Sequence, residues 1–229
     1  MRCRNGNARC WIPGGEGTVD HMHDHDERFT AAYWDERYGT AERFWSGAPN
    51  VQLVAEVADL APGTALDAGS GEGGDAHWLA AQGWKVTALD VSTVALQRAA
   101  AHAPPGANDR IRWHQADLTS WEPDGAAFDL VSAQFLHFPT ALRNRVYAQL
   151  AAAVAPGGTL LIVGHEPSEL HTGLDGHEPD MFATAAQLAA DLDPARWEIL
   201  VAESRSRIVR VPDGREAPGS DAVLRARRR

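Results

Sequence analysis

Four carboxylates and a cluster of glycines carry the first chemical signal in this chain. The run Leu66-Asp67-Ala68-Gly69-Ser70-Gly71-Glu72-Gly73-Gly74 follows an apolar segment and opens a helical one. Glycine at such a junction removes the Cβ that would keep a ligand away, and it permits the positive φ angles of a tight strand-to-helix turn. Gly69, Gly71 and Gly74 also satisfy G-x-G-x-x-G, the pattern of a nicotinamide or flavin dinucleotide loop. A pyrophosphate cradle gains nothing from Asp67, two residues ahead of the first glycine, whereas a cationic ligand does. Asp90 and Asp117 follow the short apolar runs that begin at Lys85 and Ile111. Asp90 reads as an acceptor for ligand hydroxyls or, with Ser92, as the cap of the next helix. His137 and His165 stand just beyond the runs Phe128 to Ala133 and Thr159 to Val163. Open α/β sheets bind ligands at such strand ends, so each histidine is a candidate base as well as a plain loop residue bonded to backbone. Glu166 adjoins His165, close enough to orient an acceptor or to raise the imidazole pKa.

The pattern hhD-x-G-x-G-x-G resembles motif I of the class I S-adenosylmethionine (SAM) dependent methyltransferases, whose cofactor carries a sulfonium and an ammonium and no phosphate. The resemblance covers about residues 31–227 and implies SAM as cofactor, with S-adenosylhomocysteine (SAH) as product. It places Asp67, Gly69, Ser70, Gly71, Glu72 and Gly73 in the cofactor loop, although many relatives have Cys at the position of Ser70. It sets Asp90 and Val91 at the ribose, Asp117 and Leu118 at the adenine, and Gln134-Phe135-Leu136-His137 where the family's fourth motif faces cofactor and substrate. Trp34-Asp35-Glu36-Arg37-Tyr38, with Phe44-Trp45 and Pro49-Asn50, is similar to the lid of the thiopurine and tellurite-resistance type of small-molecule methyltransferase. That likeness brings Trp45 over the SAM pocket, while Trp34 reads equally as lid or core.

The acceptor class follows from what is missing. The nucleic-acid amino-methylation pattern, Asn or Asp before Pro-Pro and an aromatic, is replaced by Ser132-Ala133-Gln134-Phe135. Cys3 and Cys10 lie far upstream of any cytosine-type nucleophile, and Gln134 and His137 do not match the acidic metal ligands of catechol-type enzymes. In-line transfer of methyl to a small-molecule acceptor is the expected function. A nicotinamide-dependent oxidoreductase and a non-catalytic SAM-binding protein are the alternatives.

The elements that must position these residues are expected in one domain, since 229 residues with 44% hydrophobic content suit a single core. Helices are expected over 28–38, 51–60, 75–82, 93–102, 141–154 and 184–192. Strands are expected to end at Asp90, His114, Ala133 and Val163, with a hairpin of 197–206 and 222–226 after a polar turn at 212–219. The fold class is α/β: a Rossmann-like, doubly wound seven-stranded sheet, mostly parallel with an antiparallel last strand and helices on both faces. Residues 1–22 read as a disordered or peripheral extension, with Met22 a candidate natural start, and 23–229 as one domain whose lid spans about 23–60.

A net charge of −10 disfavours nonspecific nucleic-acid binding, and no apolar run of membrane-spanning length occurs, so a cytoplasmic protein is the default expectation. Oligomeric state leaves no signal. His21, His23 and His25 read as a solvated tail, and His165, Glu166, His171, His177, Glu178 and Asp180 as a substrate loop or surface. No metal site is expected, because neither group has the spacing of known hydrolytic metal sites. The terminal Arg225, Arg227, Arg228 and Arg229 read as solvated charge.

Overall fold

A computed structural model describes residues 27–125, 127–167, 178–210 and 216–229. The peripheral extension, Met22, both cysteines, the first histidine group, and His171 and His177 of the second lie outside the described residues. Six helices and seven strands alternate along the described chain. They are α1 (Ala31–Gly39), α2 (Val51–Val57), β1 (Thr64–Ala68), α3 (Gly74–Ala81), β2 (Lys85–Asp90) and α4 (Thr93–Ala101). The second half holds β3 (Ile111–Gln115), β4 (Phe128–Gln134), α5 (Thr140–Ala152), β5 (Val154–His165), α6 (Ala185–Ala190), β6 (Trp197–Arg210) and β7 (Glu216–Arg228). The strands form one sheet in the order β3-β2-β1-β4-β5-β7-β6. Strands β1 to β5 pair in parallel, and β7 runs antiparallel to both β5 and β6.

The central strands are apolar on both faces, as a sheet covered by helices on each side requires. Alternation within them sorts the side chains. Leu66, Val131, Leu160, Ile162 and Leu224 enter a core with Val146 and Leu150 of α5 and Leu188 of α6. Ala65, Leu130, Leu161, Val163 and Val223 enter the opposite core with Leu53 and Val57 of α2 and Leu79 of α3. The two cores therefore lie on opposite faces of the sheet, and together they fix every central register, because a one-residue slip would exchange them.

Local capping explains where the helices begin. Thr30, Asn50, Ser92 and Thr184 each accept a backbone N–H of the first turn through their side chains. At α6 a reciprocal pair of bonds between Thr184 and Gln187 completes a capping box. Several expected boundaries shift, and two of the shifts follow from strand pairing. The helix expected to reach Val154 stops at Ala152, because Val154 pairs with Phe128 and starts β5, while Pro156-Gly157-Gly158 bulges before pairing resumes at Thr159. Glu216 to Gly219, expected in a turn, belong to β7 and pair with Arg207 to Arg210; the rest of that turn lies outside the described residues.

The order of strands puts a switch point between β1 and β4, where successive connections leave in opposite directions. A crevice opens there at the strands' C-terminal ends. Residues 27–50, including α1, lie across it and line the cavity below. Among the described residues, no helix is long and apolar enough to cross a membrane.

Candidate active site

The crevice holds a cavity of about 970 Å³, large enough for a cofactor and a small acceptor together. Ser70, Gly71, Glu72, Asp75, Asp90 and Asp117 line one end; Phe135, His137, His165, Met181 and Arg207 line the other. Trp45, Gly69, Val91, Leu118 and Gln134 line it too, so most of the expected cofactor set converges on one space.

Three expected members do not. Asp67 sits beneath the loop, 2% exposed, because it belongs to β1 and its side chain is enclosed by the helix that follows. Gly73 is the N-cap of α3 with φ of +82°, and a Cβ there would meet the Trp113 ring at 2.6 Å. It serves helix packing rather than ligand approach. Glu166 is buried but does not line the cavity.

The loop is held by carboxylates. Asp90 Oδ2 accepts the Gly71 N–H at 2.7 Å and Oδ1 accepts that of Ser92 at 2.9 Å, while Ser92 itself caps α4. Asp90 therefore shapes the entry to α4 and also lines the cavity. Glu72, buried deep in the loop, accepts the backbone N–H groups of Phe44 and Trp45, each at 2.9 Å, and meets Arg98 at 3.3 Å. Glu72 is thus a strap between loop and lid, a role its position in the glycine run did not suggest.

Asp35 of α1 makes the second strap, accepting from Ser92 Oγ at 2.5 Å, Thr93 Oγ1 at 3.1 Å and Val94 N at 3.2 Å. Burial raises its pKa, but these donors outweigh it and hold the carboxyl below the usual value. Trp45, 50% exposed, donates from Nε1 to Tyr38 Oη at 3.0 Å, which fixes the indole across the cavity mouth. Trp34 lines the cavity and packs on Tyr38.

Asp67, Asp75 and Asp90 form a buried acidic cluster under the glycine loop. Burial pushes Asp75 up to about 6, against one N–H donated by Asn50 at 2.6 Å. Burial, then the charges of Asp75 and Asp90, raise Asp67 well above the usual range. Burial raises Asp90 as well, with its two N–H donors opposing. Negative charge concentrated in a desolvated place is stable only beside a proton or a cation. Asp67 Oδ2, Ser70 Oγ and Gln134 Oε1 are buried without a hydrogen-bond partner; Ser70 and Gln134 line the cavity, where a ligand could satisfy them.

At the other end Phe135 adopts φ of +55°, the one non-glycine residue with positive φ among those described. This strained backbone turns the ring to within 4.6 Å of His165. The His137 and His165 rings stack in parallel, 4.9 Å apart. Arg207 of β6 reaches His165 Nδ1 at 2.8 Å and Asp221 at 2.5 Å; Gln52 of α2 donates to the other oxygen of Asp221. Arg207, Asp221, Asp75 and Asp35 were not singled out in the sequence. Asp75, in the first turn after the glycines, had a local signal; the others are joined only by strand pairing and lid closure.

Residues 65–158 match the model of a family described as a methyltransferase domain. Over that segment the chain is similar to methyltransferase domains. An uncharacterized methyltransferase of Mycobacterium tuberculosis is 36% identical over 123 residues, 53% of this chain; the chain covers 60% of that relative's length. The 2-heptyl-1-hydroxyquinolin-4(1H)-one methyltransferase of Mycobacteroides abscessus is 25% identical over 66% of this chain and 71% of its own length. A structure solved in work on the conversion of a disulfide bond into a thioacetal group during echinomycin biosynthesis superposes with a TM-score of 0.68. It is 26% identical and covers 88% of this chain and 91% of that one. The donor set suits the cofactor of the SAM-dependent enzymes that the chain resembles: SAM is a cation rich in hydroxyls and amines, and this cavity offers it carboxylates and unsatisfied oxygens. Among the described residues, no three His, Cys, Asp or Glu side chains are placed to hold a metal ion.

Proposed function

We propose that the chain transfers the methyl group of SAM to a small-molecule acceptor inside the lidded cavity. The observation that carries this reading is the acidic cluster at one end of a cavity whose other end is aromatic and basic. When bound, SAM supplies an electrophilic methyl on a positively charged sulfur. Asp90, which lines the cavity, accepts the ribose hydroxyls. Asp117 and Leu118 flank the adenine, although Asp117 Oδ1 also takes the Thr119 N–H at 2.8 Å. Ser70 and Gln134 satisfy the methionyl part, and Asp75 and Asp67 balance its cation through the loop. Residues 23–229 act as one domain, and the segment of about 23–60 closes over both ligands.

The chain's residues then exclude water and align acceptor with donor, and effective molarity from such alignment is worth about 7–11 kcal/mol. A small acceptor suits a closed lid and a net charge of −10 better than a nucleic acid does. The relative named for a hydroxyquinolinone supports the same acceptor size.

Calorimetric titration with SAH, and with NADH as control, tests the reading: SAH is expected to bind and to raise the melting temperature, and a response to NADH alone would overturn it. The acidic cluster adds a pH signature. With Asp75 raised to about 6 from 3.8, the folded chain keeps a proton that the unfolded chain has already released. Stability of the ligand-free protein therefore falls as pH rises across that interval. A bound cation favours the ionised carboxylates, so SAM affinity is expected to increase between pH 5 and 7, and to vary less in Asp75→Asn. Titrations at three pH values check this, and equal slopes for both proteins would count against it.

A further inference from the structure

The end of the cavity away from the acidic cluster fixes where two protons sit. A guanidinium only donates, so its contact with His165 Nδ1 at 2.8 Å consumes that nitrogen's lone pair. The neutral His165 ring therefore carries its proton on Nε2. His137 Nε2 accepts the backbone N–H of His165 at 3.4 Å, so the neutral His137 ring carries its proton on Nδ1. The two lone pairs that would make these rings bases are both turned into the protein. Among the described residues, other groups at this end do not replace them. Asp221 is ion-paired with Arg207 and bonded to Gln52; Glu166 does not line the cavity. Tyr38, raised by burial and by the charge of Asp90, keeps its proton. Asp75, Asp90, Glu72 and Asp117 belong to the opposite end.

We propose that the acceptor enters this site as an anion whose nucleophilic oxygen is already deprotonated, a carboxylate or an acidic ring hydroxyl, and that none of the described side chains acts as general base. The proposal rests on the methyltransferase reading above. The acceptor oxygen forms its bond to the methyl carbon, and the carbon–sulfur bond breaks with its electron pair passing to sulfur. The negative charge of the acceptor and the positive charge of the donor disappear together, so the step balances without a proton leaving. Arg207 is the positioning residue: it lines the cavity from the basic end and is fixed by Asp221, so it orients an incoming oxyanion and holds His165 as a donor. Phe135 and Phe138 bound the site with aromatic rings, which suits a flat acceptor body.

Two measurements test this. In protein carrying ¹⁵N-labelled histidine, with His137→Gln and His165→Gln for assignment, the NMR spectrum should show an unprotonated nitrogen at Nδ1 of His165 and at Nε2 of His137. A protonated Nδ1 on His165 would overturn the proposal. In the second, SAH binding is first established by calorimetry, and labelled methyl transfer from SAM is then followed to matched aromatic acceptors. These are benzoates and hydroxyquinolinones against anilines and benzyl alcohols.

Transfer is expected only to the acidic members, with a pH profile that follows each acceptor's own pKa. Arg207→Lys should raise KM at least tenfold while changing kcat less. Equal transfer to neutral acceptors, transfer to neutral members only, or a profile independent of acceptor acidity would each overturn the proposal and leave the methyltransferase reading standing, whereas SAH binding without transfer to any acceptor would overturn both. Failure to bind SAH would overturn that reading itself.

Discussion

Asp90→Ala is expected to weaken SAM and SAH binding by about 100-fold or more. Two hydrogen bonds to a charged carboxylate are worth about 1.5–3 kcal/mol each, and each 1.4 kcal/mol is tenfold in affinity. The same substitution releases the Gly71 N–H, held at 2.7 Å, and the Ser92 N–H, held at 2.9 Å, so the glycine loop and the entry to α4 loosen together. Asp90→Asn keeps the shape but replaces one acceptor oxygen by an NH₂, which cannot accept from both the loop and the ligand. It should lie between wild type and alanine. Calorimetry measures all three proteins, and an unchanged dissociation constant for Asp90→Ala would remove Asp90 from the ribose site.

The second large effect is expected at Glu72. Its Oε2 accepts two backbone N–H groups of the lid, and its Oε1 meets Arg98 at 3.3 Å. Alanine there leaves both part-buried N–H groups without that acceptor, at about 1–3 kcal/mol each. Global stability is expected to fall by about 2–4 kcal/mol, read from the midpoint of urea unfolding. Turnover should fall by at least tenfold in the folded remainder, because a lid released from the loop no longer excludes water or aligns the acceptor. Glu72→Gln keeps one oxygen that can take both lid N–H groups and loses the charge facing Arg98, so stability and turnover should both largely return. Wild-type stability and wild-type rates in Glu72→Ala would show that the strap is idle.

Much of the sheet was legible because its signals are local. The strand ending at Asp90 has the observed bounds Lys85–Asp90, since a short apolar run between a glycine turn and a Ser cap leaves few choices. The closing antiparallel hairpin was visible as two β-rich segments without a helix between them. The end of α5 was misjudged by about two residues for a physical reason: alanine favours helix wherever it stands, and only the pairing of Val154 with Phe128 stops it. Asp67 was expected at the ligand because it precedes the glycines, yet strand alternation encloses it in the protein instead. Glu72 was expected at the ligand because the loop surrounds it, but the lid, 27 and 28 residues earlier, claims its oxygens.

By itself the sequence determined the α/β class, the glycine turn and the strand ends that bear carboxylates, because these follow from steric freedom and from apolar periodicity within a few residues. Tertiary structure alone decided which of those carboxylates share one buried space, which strap the lid, and which nitrogen of each histidine holds its proton. Arg207 is 42 residues from His165 in the chain and 2.8 Å from it in space. Only sheet pairing joins them, and hydrogen bonding between such distant groups has no period or local composition through which a sequence could announce it.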